Sequence, residues 1–170
     1  APALAQQIRA VAAKHPADPL VQVTLAEAEH EADQYAAAEA AADRALAADP
    51  KSIEAMIYKG RAIMERAALD EAGATFAIAR GWFQKANKLD PEDPEPLMLF
   101  HQGQARETGR PTANAIAPLH YASDLAPQDL GLRMQSAYQY LRDGKLAEAR
   151  KALAPVAFNP HGGGIATAAR

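Results

Sequence analysis

An all-α chain of stacked, antiparallel helix pairs follows from three features of this 170-residue sequence. Alanine fills 43 positions, and the 49% apolar fraction includes only 6% aromatics. Alanine is the strongest helix former, and its short side chain lets helix axes approach closely. The runs of β-branched and aromatic residues that announce strands are missing. Prolines punctuate the chain at a near-regular interval: Pro16 to Pro50 is 34 residues, Pro50 to Pro91 is 41, Pro91 to Pro127 is 36 and Pro127 to Pro160 is 33. A period in this range is the signature of a helical repeat array.

Taken in order, Leu4 to Lys14 reads as a helix with Leu4, Ile8 and Val11 on one face at the 3.6-residue period. It stops before Pro16, like the second helix of a repeat without its first, as in an excised fragment or an N-terminal cap. Leu20–Glu31 and Gln34–Ala48 form the first full pair. Ser52 is placed to cap the next helix, from Ile53 to about Arg66. The second unit carries seven extra residues, about two helical turns. They are expected within 70–88, making that helix longer than its neighbours, with Asp70 and Glu71 at its start and Lys85 and Lys88 at its end. Pro94 and Pro96 open the third pair, Glu95–Glu107 and Thr112–Leu125, where Pro118 is expected to kink or delay the second helix. Leu130–Arg142 and Lys145–Val156 make the fourth pair. After Phe158, the prolines and glycines break the helix, and Ile165–Arg170 is too short to stand alone. The whole chain reads as one repeat domain: a half-repeat at 1–16, units at 17–50, 51–91, 92–127 and 128–160, and a glycine-rich tail at 161–170.

Each proline closes a similar phrase: Ala-Ala-Asp-Pro at Pro50, Lys-Leu-Asp-Pro at Pro91 and Asp-Leu-Ala-Pro at Pro127. Small residues sit at fixed distances before them. Ala45, Ala38 and Ala26 precede Pro50 by five, twelve and twenty-four residues; Ala122, Ala115 and Gly103 precede Pro127 by the same steps. Small residues at such places let two antiparallel helices cross. With Leu25-Ala26, Asp33-Gln34-Tyr35, Ala38, Ala45-Leu46 and Asp49-Pro50 in the first unit, and Lys59-Gly60 and Gln102-Gly103 in the next two, the chain resembles the tetratricopeptide repeat family. Glu29, Ala42, Lys59 and Gln102 depart from its pattern.

The resemblance implies a right-handed α-solenoid of about four helix pairs plus an N-terminal helix, binding a protein or peptide in a concave groove lined by the first helix of each pair. Carried onto this chain, the groove positions are Val23, Glu27 and His30; Ile57, Arg61 and Met64; Phe100, Gln104 and Glu107; and Met134, Tyr138 and Leu141. A subfamily grips chaperone C-terminal carboxylates with lysine and asparagine. Val23 and Glu27 stand at those places here, so that reading is rejected.

Chemistry is otherwise sparse. With no cysteine, the chain has no disulfide, thiolate metal site or thiol nucleophile. His161-Gly162-Gly163-Gly164 matches an esterase oxyanion loop, but Ser52, Ser123 and Ser136 lie in no Gly-x-Ser-x-Gly elbow, so a glycine-rich helix stop is the better reading. His30-Glu31 lacks the second histidine of a zinc helix, and phosphate-binding glycine loops are absent. Phe76, Ala79, Trp82 and Phe83 read as core. The expectation is a non-enzymatic chain with no cofactor or metal.

The net charge of −3 argues against a nucleic-acid partner, and no apolar run is long enough to span a membrane. Nothing in the sequence separates a cytoplasmic from a periplasmic location. Residues 17–50 hold eight acids against Arg44, whereas 131–170 hold six bases against Asp143 and Glu148, giving −7 and +4. Ends of opposite sign can steer a charged partner or order self-association. Structural self-assembly is therefore the second expectation; the missing initiator methionine and the half-repeat at the start add a further one, the accessory C-terminal domain of a larger bacterial protein such as an enzyme.

Overall fold

The computed structural model describes residues 2–160 and 163–169. Ten helices and no strand occur among the described residues: α1 (Pro2–Lys14), α2 (Pro19–His30), α3 (Tyr35–Ala48), α4 (Ile53–Ala68), α5 (Phe76–Leu89), α6 (Pro94–Thr108), α7 (Ala113–Leu125), α8 (Leu130–Arg142), α9 (Leu146–Ala157) and α10 (Gly163–Ala169). Each helix packs on its neighbours in sequence, and α2 also touches α4, as α4 touches α6. The result is a linear stack in which the described helices pack on those one or two places away in chain order, α8 on α10 included.

Local chemistry fixes the helix starts. Asp18 accepts from the Leu20 and Val21 amides at 3.0 and 3.3 Å, Ser52 from Ala55 at 3.2 Å, Asp93 from Glu95 at 2.9 Å and Asp129 from Leu132 at 2.9 Å. Those caps begin α2, α4, α6 and α8, the first helix of every pair, and satisfy amides that have no partner within the helix. The turns before α4 and α6 use the Asp-Pro phrase. Asp49 and Asp90 accept from the backbone two residues on, each at 3.0 Å.

The core is thin and made largely of alanine. Ala26, Ala38, Ala41, Ala42, Ala45, Ala55, Ala79, Ala86, Ala115 and Ala122 are all fully buried. One cluster of larger side chains anchors the middle of the stack: Met56, Ile57, Ile63, Met64, Phe83 and Leu99. Gly60 of α4 meets Phe83 of α5 there, where an added Cβ would stand 2.4 Å from the ring. The small residue at the crossing is a steric requirement.

Three local expectations change. The extra residues of the second unit do not lengthen α5, which has 14 residues, as does α3. They extend α4 to 16 residues and build the loop before Thr75. Asp70 and Gly73 take positive φ there, and Thr75, not Asp70, caps α5 through the Ile78 amide at 3.1 Å. Helix α7 runs through Pro118 from Ala113 onward, so the proline does not delay its start. On α1 the buried stripe is Ala5 and Ala12 with half-buried Ile8, while Leu4 and Val11 face outward. Small side chains win the inward face because they allow the closest approach to α2. Phe83 and Ala79 are fully buried as core, and Phe76 and Trp82 pack against them.

Candidate interaction groove

Helices α2, α4, α6 and α8 share one face of the stack, and cross-helix contacts identify it. Burial of Tyr58 on α4, reinforced by the neighbouring Glu27 carboxylate of α2, pushes its phenol up to about 12. His30 lies edge-on to Tyr35 at 5.5 Å and to Tyr58 at 6.4 Å. Arg61 sits 5.8 Å from the Tyr58 ring and pairs with Glu95 of α6. Arg106 of α6 donates two bonds to Glu65 of α4, at 2.6 and 2.8 Å, and holds that carboxyl below its ordinary range. Arg61 and Arg106 are thus each neutralised by a carboxylate across the α4–α6 seam.

The α6–α8 half is open. Gln102 reaches Gln135 at 3.4 Å, and Gln135 approaches the Met98 sulfur at 4.0 Å. Between the helices lies a pocket of about 310 Å³, lined by His101, Gln102, Ala105, Arg106, Gln135, Tyr138, Gln139 and Arg142. Tyr138 is 54% exposed. Arg142 crosses the mouth to the Gly109 carbonyl at 3.3 Å, at the C-terminal cap of α6. Burial lowers the pKa of His101 at the pocket wall, as it does that of His30.

Of the sequence-derived groove positions, Glu27, His30, Arg61 and Tyr138 belong to this face, with Val23 half-buried one turn before Glu27. Most of the others lie elsewhere. Ile57 and Met64 are in the core, 5% and 3% exposed. Phe100 lines a smaller pocket of about 180 Å³ with Phe83 and Asn87 of α5 and Asn114 and Pro118 of α7. Gln104 accepts from the amide and hydroxyl of Thr112, at 2.8 and 2.7 Å, and so ties the loop before α7. Glu107 pairs with Arg80 of α5. Leu141 joins Leu146 and Leu153 at the far end of the stack, while Met134 is half-buried one turn before Tyr138 on α8.

The face also holds residues that the sequence pattern did not assign to the groove: Tyr58, Glu65, Glu95, Gln102, Arg106, Gln135 and Arg142. A signal for them exists in the crossing glycines. At about 100° per residue, Ile57 and Met64 fall within about 60° of Gly60, as Phe100 and Glu107 do of Gly103. Gly60 and Gly103 face α5, where Phe83 and Arg80 are their nearest neighbours, so positions close to them turn the same way. Tyr58 and Glu65 lie more than about 130° from Gly60.

No family model matches the sequence, and no curated protein sequence matches it. Solved structures do. A structure described as TTC0263, a thermophilic TPR protein from Thermus thermophilus, superposes with a TM-score of 0.76 at 17% identity, covering 97% of this chain and 86% of that one. MamA, residues 41 to the end, from Desulfovibrio magneticus RS-1 superposes with a TM-score of 0.67 at 16% identity, covering 87% and 78%. The chain has the tetratricopeptide-repeat fold. In that fold, α2–α3, α4–α5, α6–α7 and α8–α9 are the helix pairs, and α1 and α10 flank them.

Among the described residues, no group of three or more His, Cys, Asp or Glu side chains is placed to hold a metal ion. No described helix is long and apolar enough to cross a membrane. His120 donates to or accepts from Ser136 at 2.7 Å and stacks on Tyr140 at 3.7 Å, within 5° of parallel. Ser136 is only 2% exposed, and both side chains line a cavity of about 530 Å³ between α7, α8 and α9, with Asp124, Arg133 and Glu148. His161 and Gly162 of the glycine motif lie outside the described residues.

Proposed function

We propose that the chain is a non-catalytic protein-interaction scaffold that binds a peptide segment of a partner along the face shared by α2, α4, α6 and α8. The observation that carries this reading is the open α6–α8 pocket, where a half-exposed tyrosine stands among glutamine side chains. Tyrosine offers a large apolar ring with a polar tip at low entropic cost, and amide side chains match the donors and acceptors of an extended backbone. The repeat fold supports it by presenting helix after helix to one surface. A pull-down with Tyr138→Ser plus Gln102→Ala against wild type tests the reading. Loss of a captured partner with unchanged helicity supports it, and undiminished capture refutes it.

A second reading, self-assembly, draws on the far end of the stack. Leu146 and Phe158 are 63% and 81% exposed there, beside Leu141 and Leu153. Apolar surface of this kind marks an interface. Sedimentation at rising protein concentration tests it: a Phe158→Ser-sensitive increase in mass supports self-association, and a constant monomer mass removes it.

A further inference from the structure

The geometry points to an acidic peptide segment as the occupant of the α6–α8 pocket: an Asp or Glu side chain beside an apolar residue, in extended conformation. This rests on the scaffold reading and names the chemistry of its partner.

Four observations carry it. The pocket lining contains no carboxylate, and its two charged residues are both arginines. Arg142 forms no ion pair among the described residues, and its bond to the Gly109 carbonyl is long and to a neutral oxygen. Arg106 spends its two Nη groups on Glu65, which leaves its Nε–H for a second acceptor. On the same face Arg61 and Arg106 are each paired with a carboxylate, Glu95 and Glu65, so of these three arginines Arg142 is the one without a carboxylate partner among the described residues.

The apolar half of the motif follows from the walls. Ala105 keeps the floor open, and the Tyr138 ring supplies the flank. At about 310 Å³ the space sits at the low end for a ligand pocket, about 300–1,000 Å³, and accepts a side chain of leucine or phenylalanine size. The long contacts between Gln102, Gln135 and Met98 are cheap to exchange for better ones to a peptide backbone, since hydrogen bonds near 3.5 Å are weak. Over a longer range, the +4 of residues 131–170 attracts an acidic segment to this end, while the −7 of residues 17–50 repels it from the other. The unpaired Arg142, in a lining without a carboxylate, disfavours a basic peptide.

A displayed library of short random peptides, fused so that no free C-terminal carboxylate is present, tests the inference. Selection on the folded chain should enrich peptides with Asp or Glu next to an aliphatic or aromatic residue. Fluorescence anisotropy of an enriched peptide should show about a tenfold loss of affinity on Arg142→Gln, the size expected for one charge-assisted contact. It should also show loss on Tyr138→Ser, with thermal melts of both variants unchanged. Enriched peptides without acidic bias, or indifferent to Arg142→Gln, overturn the inference while leaving the groove reading intact if Tyr138→Ser still abolishes binding. Peptides indifferent to both Tyr138→Ser and Gln102→Ala bind elsewhere and overturn both. Failure to enrich any peptide refutes the acidic-peptide assignment.

Discussion

Gly60→Ala should destabilise the protein although alanine is the better helix former. Position 60 lies inside α4, where glycine costs about 1 kcal/mol relative to alanine. Backbone propensity alone therefore predicts a gain of that size. The opposing effect comes from α5. A Cβ on residue 60 would lie 2.4 Å from Phe83 Cε1 and 2.9 Å from Cδ1 and Cζ. Carbon atoms pack best at about 3.5–4.0 Å, so the ring or a helix must retreat by about 1 Å. Phe83 is fully buried and cannot swing into solvent. Overpacking of this kind costs about 1–3 kcal/mol, and the depth of the overlap puts this case near the top of that range. The net cost is about 2 kcal/mol, or about 4–8 °C in Tm for a chain of this size. Gly81→Ala is the matched control: it meets nothing within 4 Å and should raise Tm. Thermal unfolding followed by circular dichroism reads both. In a double-mutant cycle, Phe83→Leu should recover part of the Gly60→Ala cost. A Gly60→Ala protein as stable as wild type would refute the argument that helix crossing dictates the small residue.

Three further outcomes follow from the same structure. Burial lowers the pKa of His30, His101 and His120 below the ordinary 6.5, so the unfolded chain binds more protons as pH falls through that value. Their contribution is present above pH 6.5 and is lost on acidification; urea midpoints should fall between neutrality and about pH 5.5, before carboxylates titrate, and His→Gln variants should flatten the slope. Glu29, 3% exposed, is held by two bonds from Arg9, each 2.5 Å. Arg9→Ala strands that carboxylate, so amides of α1 should lose hydrogen-exchange protection, and Arg9→Ala with Glu29→Ala should lose less. Thr75→Ala should cost about 1 kcal/mol of stability by removing the α5 cap, whereas Asp70→Ala should act through its positive φ and leave the start of α5 unchanged.

The architecture was legible because its constraints are local and repeated. Proline after each second helix, alanine at the crossings, and Asp or Ser before each first helix are all visible without knowing which surfaces meet. The loop before α5 was less legible because seven residues also equal about two helical turns, and only Thr75 and Gly73 mark it as a break. The face was legible in part. Glu27, His30, Arg61 and Tyr138 lie on it, but Ile57, Met64, Phe100 and Glu107 share the side of the crossing glycines and face α5 or the core. The cross-helix pairs Arg61–Glu95 and Glu65–Arg106 join residues 34 and 41 apart, a register that depends on how the pairs stack.

The central claim is that partners bind on the face shared by α2, α4, α6 and α8, and site-specific photo-crosslinking tests it most directly. A benzophenone amino acid replaces Tyr138 on that face in one protein and Tyr121, 49% exposed on α7, in another. The same partner peptide should be captured from position 138, and not from position 121. Capture of that peptide from position 121 with none from position 138 would contradict the account.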